Sequence, residues 1–243
     1  VQLLGLEFAD LDAEAAADLL AGRPGSAPFG YVATPNADHL VRLHRRPELR
    51  QLYQNAMLRL LDSRVVALAA RLVGLPAPQV APGSDLTALL LVRHLAAEER
   101  ITIVGLSPRW LPPLVARCRL ASPAHCDPPY GFERDPDALR TAVEFVIAHP
   151  ARFVFLAVGS PRQEMLAAAI KATGRATGTG LCVGASLEFI AGAQPRAPVW
   201  MQRGGLEWLH RLGRDPRRLA RRYLIDSPAI LPLLLRERVA GSS

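Results

Sequence analysis

Short apolar runs alternate with longer amphipathic stretches along most of this 243-residue chain, and that alternation restricts the fold more than any other feature. "FGYVATPN", "MLRLLD", "RITIVGL", "ARFVFLAVGSPRQE" and "GLCVGASLEFIAG" read as strands or strand-to-turn segments. Between them, "DLDAEAAADLLAG", "ADHLVRLHRRPELRQLYQNA", "RVVALAARLVG", "DLTALLLVRHLAAEE", "ALRTAVEFVIAH" and "QEMLAAAIKAT" carry helical periodicity. The strand segments are apolar on successive residues rather than every second one, so both faces of each strand are to be covered. The expected class is α/β, a mostly parallel sheet with helices on both faces. "SPAHCDPPYGFERDPD" reads as a loop.

In such sheets ligands sit beyond the carboxyl ends of strands, where the strand order reverses. Polar residues collect at those ends: "TPN" past Val32, Asp62 after Leu61, "GLSP" after Val104 and "GSPRQE" after Val158.

Half of the residues are hydrophobic and 21% are charged, which is the balance of a folded globular chain. The length suits one α/β domain, alone or with a small appendage. No apolar run reaches the roughly 18 residues of a spanning helix, and no signal peptide is read at the start. Cys118, Cys126 and Cys182 form no CxxC pair and the six histidines are scattered, so the thiols are read as reduced, cytosolic and without zinc. The net charge of +7 is localised: from Arg196 to Ser243 ten arginines face four acids. A boundary is expected near residue 195, with 1–195 an α/β catalytic core and 196–243 a basic helical appendage. The partner of that appendage must be polyanionic: phosphate, nucleic acid or an anionic membrane surface.

Each candidate for chemistry has a structural alternative. Asp62 could cap the helix of "RVVALAARLVG", as could Ser63 beside it. Local pattern favours the cap, yet a carboxylate at a strand end is placed to serve as a general base. Thr34, Asn36, Asp38 and His39 suit hydrogen bonds to a sugar or phosphate, or equally an Asx turn and N-cap. Gly159, with Arg162, Gln163 and Glu164 at a helix start, could hold a diphosphate through free N–H groups, the helix dipole and the guanidinium. It is neither a Walker loop nor GxGxxG, and a tight turn with a capped helix explains it as well. Arg214, Arg218, Arg221 and Arg222 fall near one another on a helix, with Trp200, Trp208, Leu209, Leu212 and Tyr223 as apolar complement. That combination suits anionic lipid, against the alternative of a solvated face. No helix-turn-helix, RNP or zinc-finger signature supports nucleic acid.

Taken together and in order, "TPNADHLV", "LRLLDSRVV", "GSPRQE", "VGASLEFIAG" with "QPRAPVWMQRGGLEWLHRL", and "DPRRLARRYL" resemble the WecG/TagA/CpsF glycosyltransferases (glycosyltransferase family 26) over residues 34 to about 224. The resemblance implies a Rossmann-like core and a small basic α-helical C-terminal appendage that meets the membrane and helps close the site. It also implies an inverting, metal-independent hexosyltransferase without a cofactor. Such an enzyme moves a sugar, N-acetylmannosamine-type or another hexose, from a UDP-sugar to a polyprenyl-diphosphate-linked saccharide in bacterial cell-surface polysaccharide synthesis, wall teichoic acid linkages and exopolysaccharides included.

By position, Asp62 matches the family aspartate proposed as general base, and Thr34 and Asn36 match residues near the substrate. Gln163 matches the pocket-lining glutamine of "PxQE", and Arg162 and Glu164 beside it are expected to bind substrate too. Arg211, Arg218 and Arg221 match appendage arginines that reach the active site or the membrane. Two departures leave the donor open: Ser63 stands where the family often has Gly, and "GLSPRW" stands in place of a Gly-rich turn. The implied partners are the UDP-sugar, the polyprenyl-diphosphate-linked acceptor and an anionic membrane surface at the cytoplasmic face of the bacterial plasma membrane, with no nucleic acid. Oligomeric state stays open, as does whether the appendage closes its own site or a neighbour's. The rivals are the same class with a UDP-glucose donor, and a non-catalytic nucleotide- or nucleic-acid-binding α/β module.

Overall fold

The computed structural model describes residues 1–96, 98–193, 198, 201, 209, 212–213 and 227–240. Arg211, Arg218 and Arg221, together with Arg214, Arg222, Trp200, Trp208 and Tyr223, lie outside the described residues.

A small antiparallel hairpin, β1 (Gln2–Leu3) and β2 (Leu6–Glu7), precedes the main sheet. The sheet comprises β3 (Gly30–Ala33), β4 (Leu58–Arg59), β5 (Thr102–Gly105), β6 (Ala124–Cys126), β7 (Phe153–Ala157) and β8 (Thr179–Cys182). All six run parallel, in the order β4-β3-β8-β7-β5-β6. Side chains alternate along each strand between two buried layers. Tyr31, Ala33, Val104, Val154, Leu156 and Cys182 join one layer, and Val32, Ile103, Phe153, Phe155 and Leu181 join the other. Both layers are apolar, which is why the strands read as continuous hydrophobic runs.

The helices are α1 (Ala13–Ala21), α2 (Ala37–Arg45), α3 (Arg50–Gln54), α4 (Arg64–Leu72), α5 (Gly83–Leu89), α6 (Leu111–Cys118), α7 (Pro136–Ala148), α8 (Arg162–Ala172), α9 (Ser186–Ala191) and α10 (Ile230–Ala240). Buried residues of α2, α3, α4, α7, α8 and α10 belong to the first layer, and those of α1, α5, α6 and α9 to the second. The chain therefore leaves β3, β4 and β7 toward one face and β5 and β8 toward the other. Adjacent strands β3 and β8, and β8 and β7, thus send the chain to opposite faces, the topology that forms a ligand crevice beyond the carboxyl ends of a parallel sheet.

Local chemistry sets the helix starts. Asp12 accepts a hydrogen bond from the Ala15 N–H at 2.8 Å to start α1, and Asp135 caps α7 ahead of Pro136 at its first position. The stretch "DLTALLLVRHLAAEE" starts as α5 but continues into a π-helical turn over Leu90–His94.

Two expectations fail in the middle of the chain. β6 lies inside the segment read as a loop; it is a three-residue edge strand paired, among the described residues, only with β5, all three residues half-buried, and carries no apolar run. "GLCVGASLEFIAG" is not one strand: β8 ends at Cys182 and Ser186–Ala191 turns into α9. A short apolar run does not by itself distinguish a strand from a buried helical turn.

Helix α10 packs on α2 and α4, burying Ile230, Leu233 and Leu234 in the first layer. Its Glu237 carboxylate accepts the Leu4 N–H at 2.7 and 2.9 Å, and Arg50 of α3 donates to the Leu4 carbonyl at 2.8 Å. The hairpin turn is thus held from both sides.

Candidate active site

Thr34 follows β3, Asp62 follows β4, Gly159–Glu164 follow β7 and Gly184 follows β8, so they line the same edge of the sheet. From β4 to β7 there are three strand spacings of about 4.8 Å, so the row is roughly 14 Å long.

At one end, the Asp62 N–H donates to the Pro35 carbonyl at 3.1 Å, joining the loops after β3 and β4. The bond that caps α4 comes from Ser63, whose Oγ accepts the Val66 N–H at 3.2 Å. Asn36 caps α2 in the same way, its Oδ1 accepting the His39 N–H at 3.3 Å. Asn36 is half-buried, and one face of its amide is committed to this cap. Helix α5 begins against these loops at Gly83. A Cβ added there would lie 2.8 Å from Thr34 Oγ1 and 3.7 Å from Asp62 Oδ2. A side chain there would crowd the Thr34 hydroxyl, and the same numbers put that hydroxyl and the Asp62 carboxylate both within 4 Å of the Gly83 Cβ position.

At the other end, Arg162 opens α8 with its guanidinium 4.9 Å from the ring centroid of Tyr130, a side chain 94% exposed. A Cβ on Gly159 would meet Arg162 Nη2 at 3.4 Å, so the cation lies over the turn that precedes the helix. Gln163 and Glu164 point the opposite way and are 3% and 1% exposed. Gln163 Oε1 accepts the Gly184 N–H at 2.9 Å, and its Nε2 donates to Glu164 Oε1 at 3.0 Å. Beneath them, Ser160 Oγ accepts from Arg42 Nη2 at 2.8 Å and bonds the Tyr53 hydroxyl at 3.1 Å. Burial pushes the Glu164 carboxyl above its ordinary value, partly offset by Gln163, Ser160 and the Arg42 charge. Burial likewise raises Tyr53, and the Glu164 charge adds to the burial that raises the Cys182 thiol.

Beyond β7, on the side away from β3 and β4, the turn after β5 is backbone-strained. Gly105 and Leu106 have φ of 87° and 68°, the left-handed region that leucine rarely adopts. A Cβ at Gly105 would strike the Ala157 carbonyl carbon at 2.8 Å. His125 of β6 lies 3.0 and 2.8 Å from the Gly105 and Leu106 carbonyl oxygens, which makes its Nε2 the donor that pins the turn.

The structure thus brings Thr34, Asn36 and Asp62 together, and puts Arg162, Gln163 and Glu164 further along the same row. It turns the amide of Gln163 and the carboxyl of Glu164 into the body of the protein. Sequence reasoning missed Gly83, Arg42, Ser160, Gly184, Tyr130 and His125. Of these, only the glycines carried a local signal, as small residues at a strand end or a helix start. Among the described residues no helix is long and apolar enough to cross a membrane.

A family model, that of the glycosyl transferase WecG/TagA/CpsF family, matches residues 1–243. Its members are glycosyltransferases of cell-surface polysaccharide synthesis, passing a sugar from a donor to a membrane-linked acceptor. A parallel sheet whose strand ends gather a carboxylate, a hydroxyl and a helix-borne arginine fits that match along the whole chain, which belongs to the WecG/TagA/CpsF family of glycosyltransferases.

Proposed function

We propose that the chain is an inverting, metal-independent transferase that moves an N-acetylmannosamine-type or other hexose from a UDP-sugar to a polyprenyl-diphosphate-linked saccharide. The observation that carries the reading is that Asp62 and Thr34, from the loops after β4 and β3, both approach the start of α5 at Gly83, with the capping bond of α4 supplied by Ser63. Asp62 takes the proton of the acceptor hydroxyl as that oxygen bonds the anomeric carbon. The bond from that carbon to the diphosphate breaks, and UDP leaves with the electron pair. Charge developing on the leaving diphosphate is met by Arg162, by the N–H groups at the start of α8, and by Arg211, Arg218 and Arg221 of the appendage. A row roughly 14 Å long, three strand spacings, accommodates a nucleotide sugar laid across the strand ends.

Association with an anionic membrane at the cytoplasmic face completes the reading. Support comes from two neighbouring helices with apolar outer stripes. Val65, Leu68 and Leu72 on α4 and Leu231, Leu235 and Val239 on α10 are 44–78% exposed, with Arg64, Arg71 and Arg236 exposed among them. Apolar residues flanked by arginine suit a helix lying in a lipid interface.

The reading is tested by UDP release from a panel of UDP-sugars, with a short prenyl-diphosphate-linked sugar as acceptor, with and without EDTA. Acceptor-dependent release undiminished by EDTA is expected, and no turnover of any donor would overturn the reading. The placement of Thr34 at Gly83 has its own test. Gly83→Ala puts a methyl 2.8 Å from Thr34 Oγ1 and forces it to move. A displacement of that kind is expected to lower kcat/KM by up to about 10²-fold. Unchanged kinetics would show that the position of Thr34 is immaterial.

A further inference from the structure

We propose that Glu164 is a positioning residue that sets the orientation of the Gln163 amide and, through it, ties the loop after β8 to the start of α8. Its kinetic consequence rests on the glycosyl-transfer reading above; the clasp itself does not.

The geometry is directional. A glutamine amide presents an acceptor oxygen at one end and a donor NH2 at the other, and the two ends are interchangeable by rotation. Gly184 offers only an N–H, so it needs the oxygen, and it receives Gln163 Oε1 at 2.9 Å. The NH2 end then needs an acceptor, and Glu164 Oε1 supplies it at 3.0 Å. Rotated by half a turn, the amide would set its NH2 against the Gly184 N–H. Glu164 therefore holds the NH2 end of the amide as Gly184 holds its oxygen, and the two together decide which way Gln163 faces.

The surroundings show why a costly group serves here. Glu164 is 1% exposed, and its Oε2 and the Nε of Arg42 are buried without a hydrogen-bond partner among the described residues. An apolar side chain of similar size would fill the same space without desolvating a carboxyl. It would not accept from Gln163. The base of the clasp is firm, because Arg42 of α2 and Tyr53 of α3 both bond Ser160, four residues before Glu164. The clasp thus joins elements that the chain sends to opposite faces of the sheet, α8 on one and α9 on the other, at the floor of the crevice.

The test compares Gln163→Met, Glu164→Leu, their double variant and Glu164→Gln. Hydrogen exchange of the Gly184 amide is the first readout. Loss of one hydrogen bond is expected to speed that exchange about tenfold in Gln163→Met and in Glu164→Leu. Glu164→Gln, which keeps an acceptor oxygen, is expected to restore protection to within about threefold of the parent. Steady-state kinetics of UDP release are the second readout. Each single variant is expected to lower kcat/KM, mainly through kcat, and the double variant no further, because the two residues act as one unit. Gly184 exchange unchanged in Glu164→Leu would overturn the clasp. So would multiplying effects in the double variant, or a Glu164→Gln protein as impaired as Glu164→Leu, which would point to the charge facing Arg42. If Glu164→Leu does not fold, Gln163→Met and Glu164→Gln decide the question alone. If the parent turns over no UDP-sugar, the functional reading fails while the exchange data still judge the clasp.

Discussion

Asp62→Asn is expected to lower the turnover of sugar transfer by about 10²–10⁴-fold, the usual contribution of a positioned general base, and to leave the cap of α4 in place. The expectation follows from how two adjacent residues divide their work. Ser63 makes the bond to the Val66 N–H, so α4 keeps its cap when Asp62 is changed. The backbone link from Asp62 to the Pro35 carbonyl does not depend on the side chain. An amide is nearly the shape of the carboxylate, yet cannot take a proton from the acceptor hydroxyl. Ser63→Ala should show the reverse: stability lower by about 1 kcal/mol with turnover retained. Turnover of UDP-sugar and thermal melting of both variants check the pair. Near-parental activity in Asp62→Asn would remove Asp62 from the chemistry.

Leu234→Ala should destabilise the protein by about 2–5 kcal/mol, and Leu235→Ala, one residue on, by no more than about 0.5 kcal/mol. Leu234 is fully buried with Ile230 and Leu233 against α2 and α4, whereas Leu235 is 52% exposed. Urea unfolding with an unchanged slope measures the difference. Equal, small effects would mean that α10 is a loose attachment. The contrast also governs how the membrane role is to be tested. Removing residues 196–243 would strip Ile230, Leu233, Leu234 and Glu237 from the body, so loss of vesicle binding in that variant could follow from unfolding. Substitutions confined to the outer stripe of α10 avoid the confusion.

Much of the sheet was legible because β3, β5 and β7 are buried on both faces and their sequences are apolar without interruption. The polar residues at their ends stood out against those runs for the same reason. β6 was hidden because an edge strand needs only one neighbour, and "AHC" flanked by proline carries no hydrophobic signature. α9 was hidden because "LEFIA" suits a strand as well as a helical turn. In the site, Asp62 and Ser63 are both good caps, and only the three-dimensional path decides which one bonds Val66. The inward turn of Gln163 and Glu164 depends on Gly184, Ser160 and Arg42, brought from three separate elements; nothing local in "PRQE" announces it. Arg162 faces the other way because it is the first residue of α8, one position before that turn.

The bond between Leu4 and Glu237 spans 233 positions of sequence, which has a consequence for how the protein is made. Translation delivers about 5–20 residues each second, so α10 leaves the ribosome roughly 10–30 s after α4. During that interval the flanks of α2 and α4 that will receive Ile230, Leu233 and Leu234 are bare, and a chaperone or a growing neighbour can reach them. Completion of the first layer waits for α10, which makes this face the natural place for a nascent chain to be held or lost.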